Sequence, residues 1–349
     1  MDSVKKISIL WFFIHFALEV ICFQFYGRYF GSLETAALMA LLYDIFAFFP
    51  QFFIGGLAER VPRLPVGMLG AIMVLLGGAG AFCHAGILRT TGFFVLSLGN
   101  AFVHVGGAKA TLFSCKDKIA PSAVFVSGGS FGVVTGKLLG ASDKTFLIGF
   151  VTMLVGGVLI YFADRICERA GESYPDIKMA DKRRNTAVVI MFAFFVVSVR
   201  GLMSYSIPTA WNKTALQTFC LFSMMGIGKG LGGILSDKFG AKKTALVSTV
   251  LSLPLLIIGG NVMWVSLIGV ALFSMTMAST LGILVSAAPK HPLMAYGVTT
   301  TGLLVGTIPA FYPPVKNFIS QISFLAVLTL VCIAALYYIM SPDKDLKEE

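Results

Sequence analysis

His15 and Glu19 stand four residues apart in an otherwise apolar run, so on a helix they share one face. A carboxylate buried among apolar residues can take up and give back a proton near neutral pH, and an adjacent imidazole can relay or tune it. This pair is the proton-coupling candidate. Asp44, next to Tyr43, is a second acid in an apolar run and is placed with it. The opposite chemistry sits in other runs. Arg200 and Lys109 are cations amid apolar residues, and a guanidinium can grip a carboxylate or phosphonate through two parallel hydrogen bonds. Arg200 and Lys109 are therefore the expected substrate anchors, near mid-membrane, with His104 and Tyr205 beside them. Lys137 and Lys229 lie in apolar runs as well. Lys229, inside Gly226-Ile227-Gly228-Lys229-Gly230, is expected to snorkel towards the membrane surface. Bases outnumber acids across these runs, which favours an anionic or zwitterionic ligand over an organic cation.

These charges are conspicuous because the chain has few. Of its 349 residues 57% are hydrophobic and 13% charged, against about a quarter charged in a soluble domain. That composition excludes a disordered chain, a disulfide scaffold and an ordinary water-soluble enzyme. The six cysteines show no C-x-x-C or zinc spacing and read as small buried hydrophobes. No cofactor and no metal ligand set is expected. The net charge of +10 reads as membrane topology, not as nucleic-acid binding, because no basic stretch is interleaved with aromatics on a polar face.

A membrane crossing needs about 20 apolar residues, and twelve such stretches can be placed: 7–27, 35–57, 64–84, 92–113, 121–140, 144–166, 186–208, 213–235, 241–260, 262–284, 292–314 and 318–341. The expected fold is all-α and integral to the membrane. Residues 1–166 form one six-helix bundle, 167–185 a polar cytoplasmic linker, and 186–349 a second bundle with a short cytoplasmic tail. Lys and Arg crowd the linker and alternate loops (Lys5, Lys6, Arg60, Arg63, Lys238, Lys242, Lys243), which puts both termini inside. A bacterial inner membrane and a monomer are expected, with protons, lipids and a small solute as the partners.

The chain also repeats itself. Gly55-Gly56-Leu57-Ala58-Glu59-Arg60 follows the second stretch, and Gly233-Ile234-Leu235-Ser236-Asp237-Lys238 follows the eighth. The second copy continues Phe239-Gly240-Ala241-Lys242-Lys243, whereas the first has Pro62 where a glycine stands in the second. Gly128, Gly132, Gly136 and Gly140 step along the fifth stretch, and Gly302 and Gly306 along the eleventh. The ladders suit close helix packing or a hinge. Similar offsets at both places, each about half the chain, point to a duplicated six-helix unit.

The Gly233–Lys243 loop resembles motif A of the major facilitator superfamily. That resemblance implies a conformational latch built from Gly233, Asp237, Lys238, Gly240 and Lys242, with Glu59 and Arg60 in the first copy, Asp237 lying near a helix N-terminus. Asn100-Ala101-Phe102-Val103-His104 with Val126-Ser127-Gly128-Gly129-Ser130-Phe131-Gly132 resembles the fosmidomycin-resistance group of that superfamily, as do His15 with Glu19 and the base Arg200. The group often has His-Pro-Glu where this chain has His104-Val105-Gly106, so the group's substrate is not carried over. What the resemblance implies is a secondary transporter working by alternating access, proton-coupled and directed outward. A proton-coupled exporter of multidrug cations and a lipid-flipping or uptake member of the same fold are the alternatives. An integral-membrane enzyme would need a metal or nucleophile motif, and neither HExxH nor a P-loop is present.

Overall fold

The computed structural model describes residues 2–29, 33–83, 86–140, 142–170, 173–207 and 209–342. Fifteen α-helices follow one another: α1 Asp2–Tyr26, α2 Leu33–Phe48, α3 Pro50–Arg60, α4 Val66–Ala79, α5 Gly86–Phe113, α6 Ala120–Leu139, α7 Asp143–Ala170, α8 Thr186–Ser206, α9 Ala215–Phe239, α10 Ala241–Ile258, α11 Met263–Ser274, α12 Thr276–Ala287, α13 Pro292–Thr307, α14 Pro313–Ile319 and α15 Ile322–Ile339. Among the described residues eleven segments are long and apolar enough to cross a membrane, and Val66–Phe82 is a shorter twelfth. Two crossings are broken. Pro50 opens α3 where α2 has just ended, as expected of a residue that cannot continue the hydrogen-bond ladder. α11 and α12 meet at Met275.

The sequence sets these boundaries locally. The Asn185 side chain accepts from Ala187 N at 2.9 Å and caps α8. Thr214 and Gln217 form a reciprocal capping box at the start of α9. Gly240 joins α9 to α10 at φ +95°, a conformation that a side chain disfavours. The equivalent turn after α3 uses no such residue, with Val61 at φ −123°, which is why Pro62 fits there.

Large side chains divide between an interior and an outer face. Trp11, Phe25, Phe93, Phe125 and Phe146 are fully buried, while Leu76, Ile87, Trp264 and Val327 lie exposed. So much exposed apolar surface is unstable in water and natural in lipid; the chain is an integral membrane protein. α1 packs along α6 and α7, and α4 along α5. α8 packs on α13 and α15, and α10 on α11. The two bundles meet chiefly where α6 lies on α9 and α3 on α13.

α7 runs to Ala170, so helix covers the first residues of the expected 167–185 linker. The following segment is extended. Ser173 N donates to the Phe113 carbonyl, and Asp176 N to that of Lys116. Further on, Met179 N and Ala180 N donate to Ser286 Oγ, and Asp181 N to the Ile339 carbonyl. The segment is thus tied to the first bundle at its start and to the second at its end. His84, Lys344 and Lys347 lie outside the described residues.

Candidate functional site

α1, α2, α5 and α6 bring one cluster together. Glu19 Oε1 accepts from Asn100 Nδ2 at 2.9 Å, and Glu19 Oε2 from the Tyr43 hydroxyl at 3.4 Å. Asn100 Nδ2 also lies 2.9 Å from the Tyr43 hydroxyl and 3.5 Å from Cys22 Sγ. Nε2 of His15 stands 3.6 Å, and Nε2 of His104 3.9 Å, from the same Glu19 Oε1. The two imidazoles meet edge to face with centroids 4.4 Å apart. Their other nitrogens are committed: His15 Nδ1 donates to the Phe125 carbonyl and His104 Nδ1 to the Asn100 carbonyl, each at 3.0 Å. A carbonyl only accepts, so both rings carry hydrogen on Nδ1 and turn Nε2 towards the carboxylate. All five polar residues are buried.

The spacing explains the assembly. His15 and Glu19 lie on one face of α1, and Asn100 and His104, also four apart, on one face of α5. Gly129 makes room, since a Cβ there would strike the His15 ring. His104, expected beside the substrate, therefore stands with the proton-coupling pair. Asn100, Tyr43 and Cys22 were not singled out as site residues. The i, i+4 spacing of Asn100 and His104 was the signal that could have found the first.

The second bundle contributes cations. Arg200 is buried on α8, and its Nη1 donates to Thr280 Oγ1 of α12 at 3.2 Å. Among the described residues it has no ion-pair partner. Lys229 reaches across the bundle interface from α9, and its Nζ donates to Ser130 Oγ of α6 at 2.9 Å. It does not snorkel outward, and it lies within electrostatic reach of both Arg200 and Glu19. Asp44 is buried in the field of Glu19 and Lys137. Lys137 lies over two rings, Phe23 of the first bundle at 5.3 Å and Phe222 of the second at 4.7 Å.

Two expected substrate contacts lie elsewhere. Lys109 is one turn from the end of α5, and its Nζ donates to the Pro62 carbonyl in the turn after α3. Tyr205 is near the end of α8, 48% exposed, with its ring 5.8 Å from that of Phe311.

The repeated loops meet opposite bundles. Asp237 Oδ1 and Oδ2 accept from Ile119 N at 3.0 Å and Ala120 N at 2.9 Å, at the start of α6. Glu59 Oε1 accepts from Leu293 N at 2.7 Å and Met294 N at 3.3 Å, at the start of α13, while Oε2 takes His291 Nδ1 at 3.1 Å. Each acid thus caps a helix N-terminus in the other bundle, where unpaired N–H groups and the dipole favour an anion. The glycines allow the approach: a Cβ on Gly55 would lie 2.6 Å from the Leu293 carbonyl oxygen, and one on Gly233 would strike Ala123. Lys242 serves its own bundle, donating to the Tyr337 and Met340 carbonyls at the end of α15. Lys238 and Arg60 are exposed.

The glycine ladders also lie within bundles. Added Cβ atoms on Gly128, Gly132 and Gly136 would meet the carbonyls of Phe12, Phe16 and Val20 on α1. Those on Gly302 and Gly306 would meet Val197 and the Ser198 carbonyl on α8. This is close packing inside each bundle. Gly140 is not a rung: it ends α6 at φ +76° with nothing near.

Eleven helices of crossing length and a shorter twelfth among the described residues, in two bundles meeting along α6/α9 and α3/α13, give the chain the fold of the major facilitator transporters. No family model and no curated protein matches it. Among solved structures it is similar to the major facilitator transporter FucP in an outward conformation, at 14% identity and TM-score 0.65 over 96% of this chain and 97% of that one. It is similar to a variant of the E. coli fucose:proton symporter FucP, at 13% identity and TM-score 0.65 over 97% of each chain. It is also similar to the human organic anion transporter TETRAN, at 11% identity and TM-score 0.67 over 96% of this chain and 99% of that one.

Proposed function

We propose that the protein is a secondary active transporter for a small anionic or zwitterionic solute, driven by protons and exporting its substrate. The observation that carries this reading is Arg200, a buried guanidinium whose side-chain partner is a single hydroxyl and which has no ion-pair partner among the described residues. A buried charge without a counter-ion is costly, and an anionic ligand would relieve that cost. Lys229 adds a second cation within reach. The solute sits between bundles 1–166 and 186–349, joined by 167–185, as expected where two repeats rock about a central site. Glu19, with His15 and His104, carries the coupling proton, and Asp44 lies along its route.

Orientation follows from the loop charges: both termini, the linker and the two latches are cytoplasmic. The latches then close the cytoplasmic side, and Lys137 and Tyr205, at the far ends of α6 and α8, face outward. The membrane is a bacterial inner membrane and the protein a monomer without enzymatic activity. FucP is described as a proton symporter and TETRAN as an organic anion transporter; proton coupling and an anionic solute accord with those descriptions. The outward direction rests on the resemblance to the fosmidomycin-resistance group.

The test is a thermal-shift screen of detergent-purified protein against phosphonates, phosphorylated metabolites, carboxylates, zwitterions and lipophilic cations. A ligand that binds only the folded state raises Tm with its concentration. Anions or zwitterions should stabilise the wild type and not Arg200→Ala, and the active compound should then drive a pH change in proteoliposomes. Stabilisation by cations alone, lost in Glu19→Gln, would overturn the anionic reading and favour a multidrug cation exporter.

A further inference from the structure

We propose that His15, Glu19 and His104 form a binding site for one divalent transition-metal ion of the zinc class, held by the two Nε2 atoms and the Glu19 carboxylate. This goes beyond the transport reading and does not depend on it.

The three donor atoms lie within 4.8 Å of one another. The two nitrogen–oxygen pairs are 3.6 and 3.9 Å apart. Donors bonded at about 2.0–2.1 Å around a tetrahedral zinc stand roughly 3.4 Å apart, so each nitrogen–oxygen pair has to close by only a few tenths of an ångström. The pair of imidazole nitrogens has to close by up to roughly 1.4 Å, through rotation of the two side chains. Two imidazoles and one carboxylate suit zinc, cobalt or nickel better than calcium or magnesium, which prefer all-oxygen sites.

The surroundings hold the donors in ligating form. A metal takes the lone pair of a neutral imidazole, and the hydrogen on the other ring nitrogen then needs an acceptor. Here each Nδ1 already donates to a backbone carbonyl, of Phe125 and of Asn100. Asn100 Nδ2 and the Tyr43 hydroxyl orient the carboxylate in the same way. Three protein ligands leave a position open for water. Asn100, which already holds Glu19 through Nδ2, has a buried Oδ1 with no donor among the described residues. A buried acceptor without a donor is uncommon and calls for a reason, and a metal-bound water would supply one.

The neighbouring charges set the strength. Lys229 lies within electrostatic reach of both His104 and Glu19, so its charge opposes a dication. Asp44, in the field of Glu19, favours it. Removing the lysine charge should therefore tighten binding, an effect that a purely structural role for the cluster would not produce.

The experiment is a titration of the purified full-length protein with Co2+ at fixed pH, followed by visible absorption, then displacement by Zn2+. The expected result is one Co2+ per chain with the intense bands of a four- or five-coordinate ion, lost on adding Zn2+. Glu19→Gln and His104→Asn should each weaken binding by more than the roughly 10–100-fold typical of losing an outer partner. Lys229→Met should tighten it several-fold. Zn2+ should raise the Tm of the wild type and leave that of the two ligand variants unmoved. Absence of a stoichiometric band, or equal binding by wild type and ligand variants, would overturn the proposal. Should those variants not fold, zinc-edge X-ray absorption on the wild type decides: imidazole and oxygen neighbours support the site, whereas a sulfur shell at about 2.3 Å assigns the ion to a cysteine and overturns it. A protein that moved no anion could still pass every step, and one that failed here could still be a proton-driven transporter.

Discussion

Glu19 and Arg200 occupy comparable places, each in the last two turns of the helix that opens its bundle, and their surroundings differ sharply. The acid is enclosed by partners: an amide and a hydroxyl that donate to it, and two imidazole nitrogens at 3.6 and 3.9 Å. The base is met by one hydroxyl. A charge whose partners are already present is suited to keep and release a small ion. A charge left with unused donors is suited to receive a ligand from outside. On the proposed function, the first bundle then holds a storage site and the second a receiving site.

The largest effect is expected from abolishing the first member of that comparison. Glu19→Gln keeps the shape of the side chain and removes its charge, so proton movement in proteoliposomes should fall to background while an anionic ligand still shifts Tm. If proton movement survives, the storage role belongs elsewhere, with Asp44 the next residue to change. Arg200→Met should come second. Hydrogen bonds to a charged group contribute about 1.5–3 kcal/mol, so ligand affinity should fall roughly 10–100-fold, read as the ligand concentration needed for half of the Tm shift. Equal affinity in the two proteins would break the comparison from the other side.

Gly132→Ala probes how the acid is held. The new Cβ would meet the Phe16 carbonyl and lie 2.8 Å from Glu19 Cβ. A loss of about 1–3 kcal/mol in unfolding stability is expected from such overpacking, with proton coupling impaired and anion affinity kept. The latches form a smaller comparison. Removing a capping side chain costs about 0.5–2 kcal/mol, so Asp237→Ala and Glu59→Ala should each bias the protein towards its other conformation, as read by spin-label distances between α6 and α9 or between α3 and α13. Glu59 also carries His291, so the excess cost of Glu59→Ala should match that of His291→Ala, which a double-mutant cycle would check.

The smallest effect is expected at the linker. Hydrogen bonds from Arg183 hold the Asp181 carboxyl low, at about 2. A lowered carboxyl stabilises above its unfolded value of about 3.9 and loses that contribution as pH falls through its folded one. Asp181→Asn should therefore change Tm slightly and evenly from pH 5 to 8, and the wild-type excess should fade only between about pH 4 and pH 2.

What could be read in advance was local. Twelve crossings follow from apolar length, and the His15–Glu19 pair from the i, i+4 rule. The meeting of His104 with Glu19 depends on how α5 lies against α1, so no spacing within one helix discloses it. The ligand set is hidden for the same reason, since the two histidines are on different helices. Lys109 was misplaced by depth: it stands one turn from the end of α5, where its side chain reaches the turn after α3 at Pro62. Lys229 was read as a residue escaping the membrane because the partner that holds it, Ser130, belongs to the other bundle. The glycine ladder was legible as a surface for close approach, but which helix approached was not.

That ladder has a mechanical consequence. Gly128, Gly132 and Gly136 press α6 onto α1 with almost no slack, so the two helices turn as one bar. Asp237 grips the bar at Ala120, and Glu19 rides on it beside Gly132. At 1.5 Å per residue the two points are about 18 Å apart. If the proposed latch opens, a small angle at the tip of the bar becomes a displacement of ångströms at the carboxylate. Asn100 and His104 of α5 and Tyr43 of α2 hold the same carboxylate from outside the bar, so such a pivot would turn the acid against those contacts and open them.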